Sequence, residues 1–395
     1  MLGPEFCIRP RGLRSRGAAL TFVFASVLVA AAVTNCLPQD GENPPARSVS
    51  RAAPVAGAGR GEVDQRELAR AAAEAMADGK SGAKAAREVV SRSGDRWGAV
   101  YDRREYEEFA QALDGRYTGV GLSARRTADG RIEVARVQAD GPADRAGLRA
   151  GDRIRTVDGR AVDGRSAAEV VALLRGEGAP PGSAVALGVQ RGTRAWSETL
   201  RRARLATEDV TVQRLDDGAL RIRVAAFTKG TGQRVRDAVL GAPKRAGVLL
   251  DLRGNSGGLV TEAVTAASAF LDGGLVATYD VHGREQALYA QSGGDTGRPL
   301  VALVDGGTMS AAELLAGALK DRGRAVTVGS RTFGKGSVQM PSRLPDGSVA
   351  ELTVGHYRTP AGHSVDGRGI TPDLVAADRA EERARTVLSG LGGGS

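Results

Sequence analysis

Residues 248–259 read VLLDLRGNSGGL, an apolar run that passes into a glycine-rich loop and then into a helical pattern continuing to residue 270. The same order recurs at 299–320 (PLVALVDGGTMSAAELLAGALK), and a third apolar run at 325–328 leads into the loop GSRTFGKGSVQ at 329–339. Strands that alternate with helices predict a mainly parallel sheet with flanking helices. Because active sites of such sheets gather at the carboxyl ends of the strands, we expect the three loops to converge there.

Two side chains in these loops have the chemistry of a catalytic pair. Ser310 stands at a loop-to-helix junction beside a helix N–H that has no intrahelical partner, which is nucleophile geometry, although serine before a helix most often acts as an N-cap. Lys335 lies between Gly334 and Gly336 in a chain whose basic residues are nearly all arginine. A lysine can lose its proton and an arginine cannot, so Lys335 is a candidate base; its alternative role is a solvated charge.

Residues 115–201 change to short strands and turns. Gly141-Pro142 opens a turn, AGL follows at 146–148, and the run GDRIRTVDG at 151–159 contains an apolar strand and an Asp-Gly turn. This succession resembles a PDZ domain. A PDZ domain adds an extended peptide to a sheet edge and captures the peptide's C-terminal carboxylate with backbone N–H groups.

The resemblance places the carboxylate-binding loop at a glycine-containing segment. Its implied substrate-binding residues are Gly119, Val120, Gly121 and Leu122. Both glycines are able to take positive φ and present N–H groups to an anion. The alternative is an ordinary glycine turn before a strand.

Ser310, Lys335 and Gln339, with the glycine loop at 254–258, resemble the C-terminal processing peptidases, also called tail-specific proteases. The resemblance covers the chain from about residue 62 to 373, and KGSVQ at 335–339 is its most specific piece. It implies that Ser310 is the nucleophile, Lys335 the general base and Gln339 the support of that base. A lysine base must be neutral, which requires burial or a neighbouring cation to lower its pKa.

The same resemblance implies an oxyanion hole built from backbone N–H groups. The implied donors are Gly257 or Gly258 and Ala311. Two positions depart from the family pattern, since Ser256 stands where proline is frequent and Met309 where a smaller residue is common. Neither change removes a catalytic group.

The rest of the chain divides by composition. Arginines in the basic segment 1–16 precede an uncharged, mostly apolar segment at 17–37, which predicts a transmembrane anchor or a cleaved export signal, with the catalytic part outside the cytoplasm or secreted. A Pro-, Gly- and Ser-rich stalk is expected at 38–62. Helices are predicted at 63–114, the protease core at 202–376, and a C-terminal helix with a flexible glycine-rich tail at 377–395.

Charge and composition exclude several classes. The net charge of +9 comes from basic residues scattered among acidic ones, and aromatics make up 4%, so we expect no nucleic-acid partner. Cys7 and Cys36 lie at the beginning of the chain, and the histidines lack paired metal spacing. We therefore expect no metal and no cofactor.

The sequence also allows three alternative interpretations. Residues 329–335 fit the opening of a phosphate-binding loop, but Gly336 replaces the required Ser or Thr. His356 or His363 could complete a Ser-His-Asp triad with Ser310. The chain could also be a non-catalytic PDZ peptide-binding scaffold at the membrane.

The sequence thus predicts a multidomain protein of α/β and β-rich class, with N-terminal helices, an inserted PDZ domain and a protease core. The expected function is that of a serine endopeptidase with a Ser/Lys dyad. Its expected partners are C-terminal tails of protein substrates and, through the N-terminal segment, a membrane; an oligomer is left open.

Overall fold

The computed structural model describes residues 65–176, 178–243, 246–281 and 284–392. The predicted basic segment, apolar segment and stalk lie outside the described residues. Within the described ranges, no helix combines the length and apolar character needed to cross a bilayer.

The N-terminal region is helical, as predicted, and also contains a strand that the sequence analysis missed. Its elements are α1 (Gln65–Ala77), α2 (Gly82–Ser93), β1 (Ala99–Tyr101) and α3 (Arg103–Leu113). Ser81 caps α2, and Asp102 forms a capping box with Glu105 at the start of α3. These side chains satisfy N–H groups that a helix start leaves open.

The following region forms the PDZ domain. Its elements are β2 (Arg116–Gly119), β3 (Leu122–Arg126), β4 (Ile132–Val137), α4 (Pro142–Arg145), β5 (Arg153–Val157), β6 (Arg160–Ala161), α5 (Ala167–Arg175), β7 (Ala184–Arg191), β8 (Arg194–Arg201) and β9 (Ala203–Ala206). The sheet has the order β3-β4-β5-β7-β8, with β6 beside β5. Strands β2 and β9 pair antiparallel where the chain enters and leaves this domain.

The remaining residues build the predicted protease core. Its elements are β10 (Val210–Arg214), β11 (Leu220–Val224), α6 (Thr231–Leu240), β12 (Val248–Asp251), α7 (Val260–Ala267), β13 (Leu275–Val281), β14 (Arg284–Tyr289), β15 (Leu300–Val304), α8 (Ala311–Asp321), β16 (Val326–Gly329), β17 (Ser337–Arg343), β18 (Val349–Arg358), β19 (Leu374–Val375) and α9 (Ala380–Gly392).

The central sheet has the order β10-β11-β12-β15-β16-β19. Strands from β11 to β19 in this order pair in parallel, and only the edge pair β10–β11 is antiparallel. Every residue of β12 and β15 is buried. Parallel strands covered on both faces read as continuous apolar runs, which is why the sequence identified them, and the prediction of a mainly parallel core sheet is confirmed.

A second sheet, which the sequence did not indicate, packs beside the first. It has the order β1-β18-β13-β14, with β17 also paired to β18, and its pairs are antiparallel. Strand β1 of the N-terminal region thus completes a sheet of the predicted protease core, with Ala99 opposite Glu351.

The C-terminal helix corrects one prediction. We expected a flexible tail from residue 390, but α9 continues to Gly392. Ala384 and Leu388 of this helix are buried with Leu249 and Leu303 of the central sheet, and the helix continues beyond them to Gly392. Residues 393–395 lie outside the described part of the chain.

Candidate active site

The loops that follow β12, β15 and β16 converge at one edge of the central sheet, as predicted. The Met309 N–H donates to the Asn255 carbonyl (2.8 Å), and the Phe333 N–H donates to the Thr308 carbonyl (3.0 Å). The Gly254 N–H also donates to Asp305 Oδ1 (2.9 Å). The three loops therefore form one hydrogen-bonded unit.

Ser310 occupies the N-cap position of α8 in an unusual backbone conformation. Its φ is +57° and ψ −118°, and the residue is fully buried. Positive φ at a non-glycine residue is uncommon and costs of order 1–3 kcal/mol. The Tyr357 hydroxyl donates to the Ser310 carbonyl (3.0 Å). A Cβ added to Gly257 would lie 3.0 Å from Ser310 Cβ, so the glycine loop approaches the serine closely.

Glu313, one turn into α8, joins the serine loop to the lysine loop. Its buried carboxyl accepts hydrogen bonds from the N–H groups of Ser310 (2.9 Å), Gly334 (2.7 Å) and Lys335 (2.8 Å), and from the Thr332 hydroxyl. Burial raises the pKa of Glu313, and these donors oppose that shift. One carboxyl group therefore fixes the backbone of both predicted catalytic residues.

The Lys335 side chain is almost completely buried, at 1% exposure. Its Nζ lies 4.8 Å from the centre of the Trp97 ring. Burial lowers the pKa of Lys335 to about 8, while the charges of Glu351, Asp95 and Glu313 act in the opposite direction. About half of the amine is therefore neutral at mildly alkaline pH, as a general base requires.

Gln339 lies on β17 with its side chain buried. Its Nε2 donates to Ser337 Oγ (2.8 Å) and to Thr353 Oγ1 (3.3 Å). The Thr353 hydroxyl donates in turn to Asp95 Oδ1 (2.8 Å), in the loop between α2 and β1. Thr353 thereby joins the N-terminal region to Gln339 by hydrogen bonds.

The implied oxyanion donors lie next to Ser310 but are not equivalent. The Gly257 N–H donates to Asn255 Oδ1 (2.9 Å), and Asn255 Nδ2 donates to the Val224 carbonyl (3.0 Å). Asn255 thus fixes the glycine loop by binding one of its amides. A Cβ on Gly258 would lie 2.4 Å from the Phe227 carbonyl oxygen, and its φ is +129°. Ala311 is the first residue of α8, where an N–H has no intrahelical partner.

The predicted peptide-binding residues line a cavity of about 300 Å³ between β3 and α5. Gly119, Val120, Gly121 and Leu122 contribute to its wall, together with Arg175 of α5. Gly121 has φ +77° as expected. Gly119 does not use this freedom, because it pairs with Ala203 in the β2–β9 ribbon and is extended.

The interpretation of residues 329–335 as a phosphate-binding loop is wrong. Residue 337 begins strand β17, whereas such a loop requires a helix at this position. The two histidines lie at the surface, with side-chain exposures of 54% for His356 and 75% for His363. His356 Nε2 lies 3.7 Å from Asp366 Oδ2, and His363 Nδ1 lies 3.8 Å from Asp321 Oδ2. Both positions agree with polar residues of a surface hairpin.

Several residues of the lysine site come from distant parts of the chain and were not predicted from the sequence. These residues are Asp95, Trp97, Glu313, Glu351 and Thr353. Only Glu313 had a local signal, because Ser-x-x-Glu at 310–313 is the spacing of a capping box. The others reach the site through long-range strand pairing.

Comparisons with known proteins agree with this arrangement. Residues 219–376 match the model of peptidase family S41, and residues 133–191 match a PDZ domain. The "Carboxy-terminal processing protease CtpA" of Bacillus subtilis is 31% identical over 287 residues, covering 71% of this chain and 61% of that protein. The "C-terminal processing peptidase, chloroplastic" of Tetradesmus obliquus is 39% identical over 282 residues, covering 66% of this chain and 60% of that protein.

Among solved structures, the "Photosystem II D1 C-terminal processing protease" is 31% identical and covers 79% of this chain and 86% of that one, with a TM-score of 0.48. The chain spans about three fifths of the length of the curated relatives named above. Since the family match contains the serine and lysine loops, and relatives of the same family align over most of the chain at more than 30% identity, the chain belongs to peptidase family S41 and carries a PDZ domain.

Proposed function

We propose that the protein is a serine endopeptidase that uses Ser310 as nucleophile and Lys335 as general base. The observation that carries the proposal is the buried Lys335 amine, whose pKa is lowered to about 8 and whose backbone shares the Glu313 carboxyl with Ser310. Membership of a peptidase family supports the same activity.

The chemistry follows from these groups. The neutral Lys335 amine takes the proton of the Ser310 hydroxyl while Oγ attacks the peptide carbonyl carbon. The N–H groups of Gly258 and Ala311 stabilise the resulting oxyanion, each by about 3 kcal/mol, since the Gly257 N–H already donates to Asn255 Oδ1. The C–N bond breaks as the leaving amine takes the proton from Lys335. Water, deprotonated by Lys335, then hydrolyses the acyl ester and releases Ser310. Gln339, whose buried Oε1 has no hydrogen-bond partner among the described residues, offers an acceptor for the amine without adding a negative charge.

We propose C-terminal tails of proteins as the substrates. The cavity beside Gly119 to Leu122 has the position of a PDZ peptide groove, in which an extended chain adds to a sheet edge. The two curated relatives named above are C-terminal processing enzymes, which supports the same substrate class.

We also propose that the chain is exported, either as a secreted protein or held by a single-pass anchor. This proposal rests on the sequence of residues 9–38 alone, where arginines precede the uncharged apolar run.

The test compares two unfolded proteins that differ only in their last residues, incubated with the full chain and with Ser310→Ala. We expect cleavage by the wild type that depends on the tail, and none by the variant. Binding of tails without cleavage would favour the peptide-binding scaffold, and cleavage that persists in Ser310→Ala would refute the proposed nucleophile.

A further inference from the structure

Glu351 is a buried carboxyl group that the mechanism above does not use. It lies on β18 with no exposed surface. Within the part of the chain that the structure describes, neither of its carboxylate oxygens has a hydrogen-bond partner. Burying an ionisable group without partners is strongly unfavourable. The position of the Glu351 carboxyl in the packed interior is therefore costly for stability and suggests a functional role.

Strand register places Glu351 beside the base. Residues two apart on a strand lie on the same face, so Glu351 shares a face with Thr353, which is opposite Gln339. On its other side Glu351 is opposite Ala99, two residues after Trp97, whose ring lies 4.8 Å from the Lys335 amine. The face of β18 that carries Glu351 therefore also carries Thr353, whose hydroxyl contacts Gln339 and Asp95.

The other acids that act on Lys335 are already occupied. Asp95 accepts hydrogen bonds from the Thr353 N–H and hydroxyl, and the Glu313 carboxyl accepts four donors from the two catalytic loops. Glu351 has the largest effect of the three charges on the pKa of Lys335. The acid that acts most strongly on the amine is thus the one without other hydrogen bonds.

The effect is reciprocal. Burial raises the pKa of Glu351 to about 7, and Lys335 is the charge that lowers it. Glu351 also acts on two phenols, Tyr101 of β1 and Tyr106 of α3, each with a pKa raised by burial and then by Glu351. Arg343 of β17 opposes the shift at Tyr106, and Glu105 adds to that at Tyr101. Lys335 is therefore the cation to which the Glu351 carboxylate responds.

We propose that Glu351 is a positioning residue for Lys335, whose buried carboxyl acts on the lysine amine through its charge and without a hydrogen bond to it. This inference rests on the proposed Ser310/Lys335 mechanism. An ionised Glu351 stabilises the ammonium form, so removal of its charge favours the neutral, basic form.

The test is the pH dependence of kcat/KM for the full chain, measured on a tail-bearing substrate. Glu351→Gln keeps the shape and removes the charge, Glu351→Asp keeps the charge, and Glu382→Gln removes an exposed carboxylate from α9 as a matched control. We expect the acid limb to move to lower pH by about one unit in Glu351→Gln, to stay nearer the wild-type position in Glu351→Asp, and not to move in Glu382→Gln. A Glu351→Gln profile that overlays the wild type, or an equal shift in Glu382→Gln, would overturn the inference.

A second measurement needs neither turnover nor a folded Glu351 variant. In protein labelled with ¹³C at the glutamate carboxyls, exposed groups titrate near about 4.3, whereas Glu351 should titrate near neutral pH. Lys335→Met should move the Glu351 ionisation to still higher pH, because its stabilising cation is gone; an unchanged value contradicts the coupling. Failure of the proposed function appears separately, as activity that survives Ser310→Ala or Lys335→Ala.

Discussion

Replacing Glu313 by glutamine should lower both the stability of the fold and the rate of catalysis, and the loss of rate should be the larger effect. One oxygen of Glu313 accepts from the Ser310 and Lys335 N–H groups, and the other accepts from the Gly334 N–H and the Thr332 hydroxyl. A glutamine has one acceptor and one donor end. In its best orientation the NH₂ group faces the Thr332 hydroxyl, which can accept, and the Gly334 N–H, which cannot.

The cost follows from that geometry. One buried N–H without an acceptor costs about 1–3 kcal/mol, and the remaining bonds lose their charge assistance, so we expect Glu313→Gln to lower the free energy of unfolding by about 3 kcal/mol. The catalytic effect should be larger, since a misplacement of about 1 Å can cost about 100-fold in rate. We therefore expect kcat/KM to fall at least that far under conditions where the variant is fully folded.

Urea denaturation measures the first quantity and initial-rate kinetics the second. Glu262→Gln is the matched control, because the Glu262 carboxylate also accepts two backbone N–H groups, those of Gly230 and Gly232, but joins α7 to α6 and not the catalytic loops. It should lose stability and keep near wild-type turnover. Equal activity of folded Glu313→Gln and Glu262→Gln would refute the view that Glu313 aligns the serine and lysine.

Three further predictions concern the substrate groove, the glycine loop and the histidines. Amidating the substrate's C-terminus removes charge-assisted hydrogen bonds of about 1.5–3 kcal/mol each, so kcat/KM should drop at least tenfold, and equal cleavage of acid and amide peptides would contradict carboxylate capture by Gly119 to Leu122. Gly257→Ala should abolish cleavage while the protein stays folded, because the φ of Gly257 is +100° and the new Cβ would lie 3.0 Å from Ser310 Cβ. Circular dichroism measures folding and initial rates measure cleavage; full activity would show that the loop does not pack on the serine. His356→Ala and His363→Ala should keep substantial turnover, because both side chains are exposed; loss of activity in either folded variant would move the base to a histidine.

The parallel core sheet was predictable because its strands are buried on both faces and therefore read as unbroken apolar runs. The loops after those strands could be located for the same reason, and with them Ser310 and Lys335. Ser310 also showed why a single residue is ambiguous, since it occupies the N-cap position that the simpler interpretation gave it.

The surroundings of the base could not be predicted locally. Strand β1 has three residues and pairs with β18 some 250 positions later, so neither its existence nor the approach of Trp97 to Lys335 follows from nearby residues. Antiparallel pairing over such distances depends on the whole fold, whereas helical periodicity depends on neighbours. Glu351 could not be identified from the sequence for the same reason, since nothing near it in the chain distinguishes it from the other acidic residues.

The pH dependence of kcat/KM in the wild type, measured beside Lys335→Arg, tests the lysine base most directly. The pKa of Lys335 in the folded protein is lowered to about 8, and only the neutral amine accepts a proton, so activity should be low below that pH, rise through about 8 and level off above it. Lys335→Arg should be inactive at every pH, because a guanidinium stays charged. A limb near about 6.5, where histidine titrates, or proteolysis retained in Lys335→Arg would contradict the lysine base.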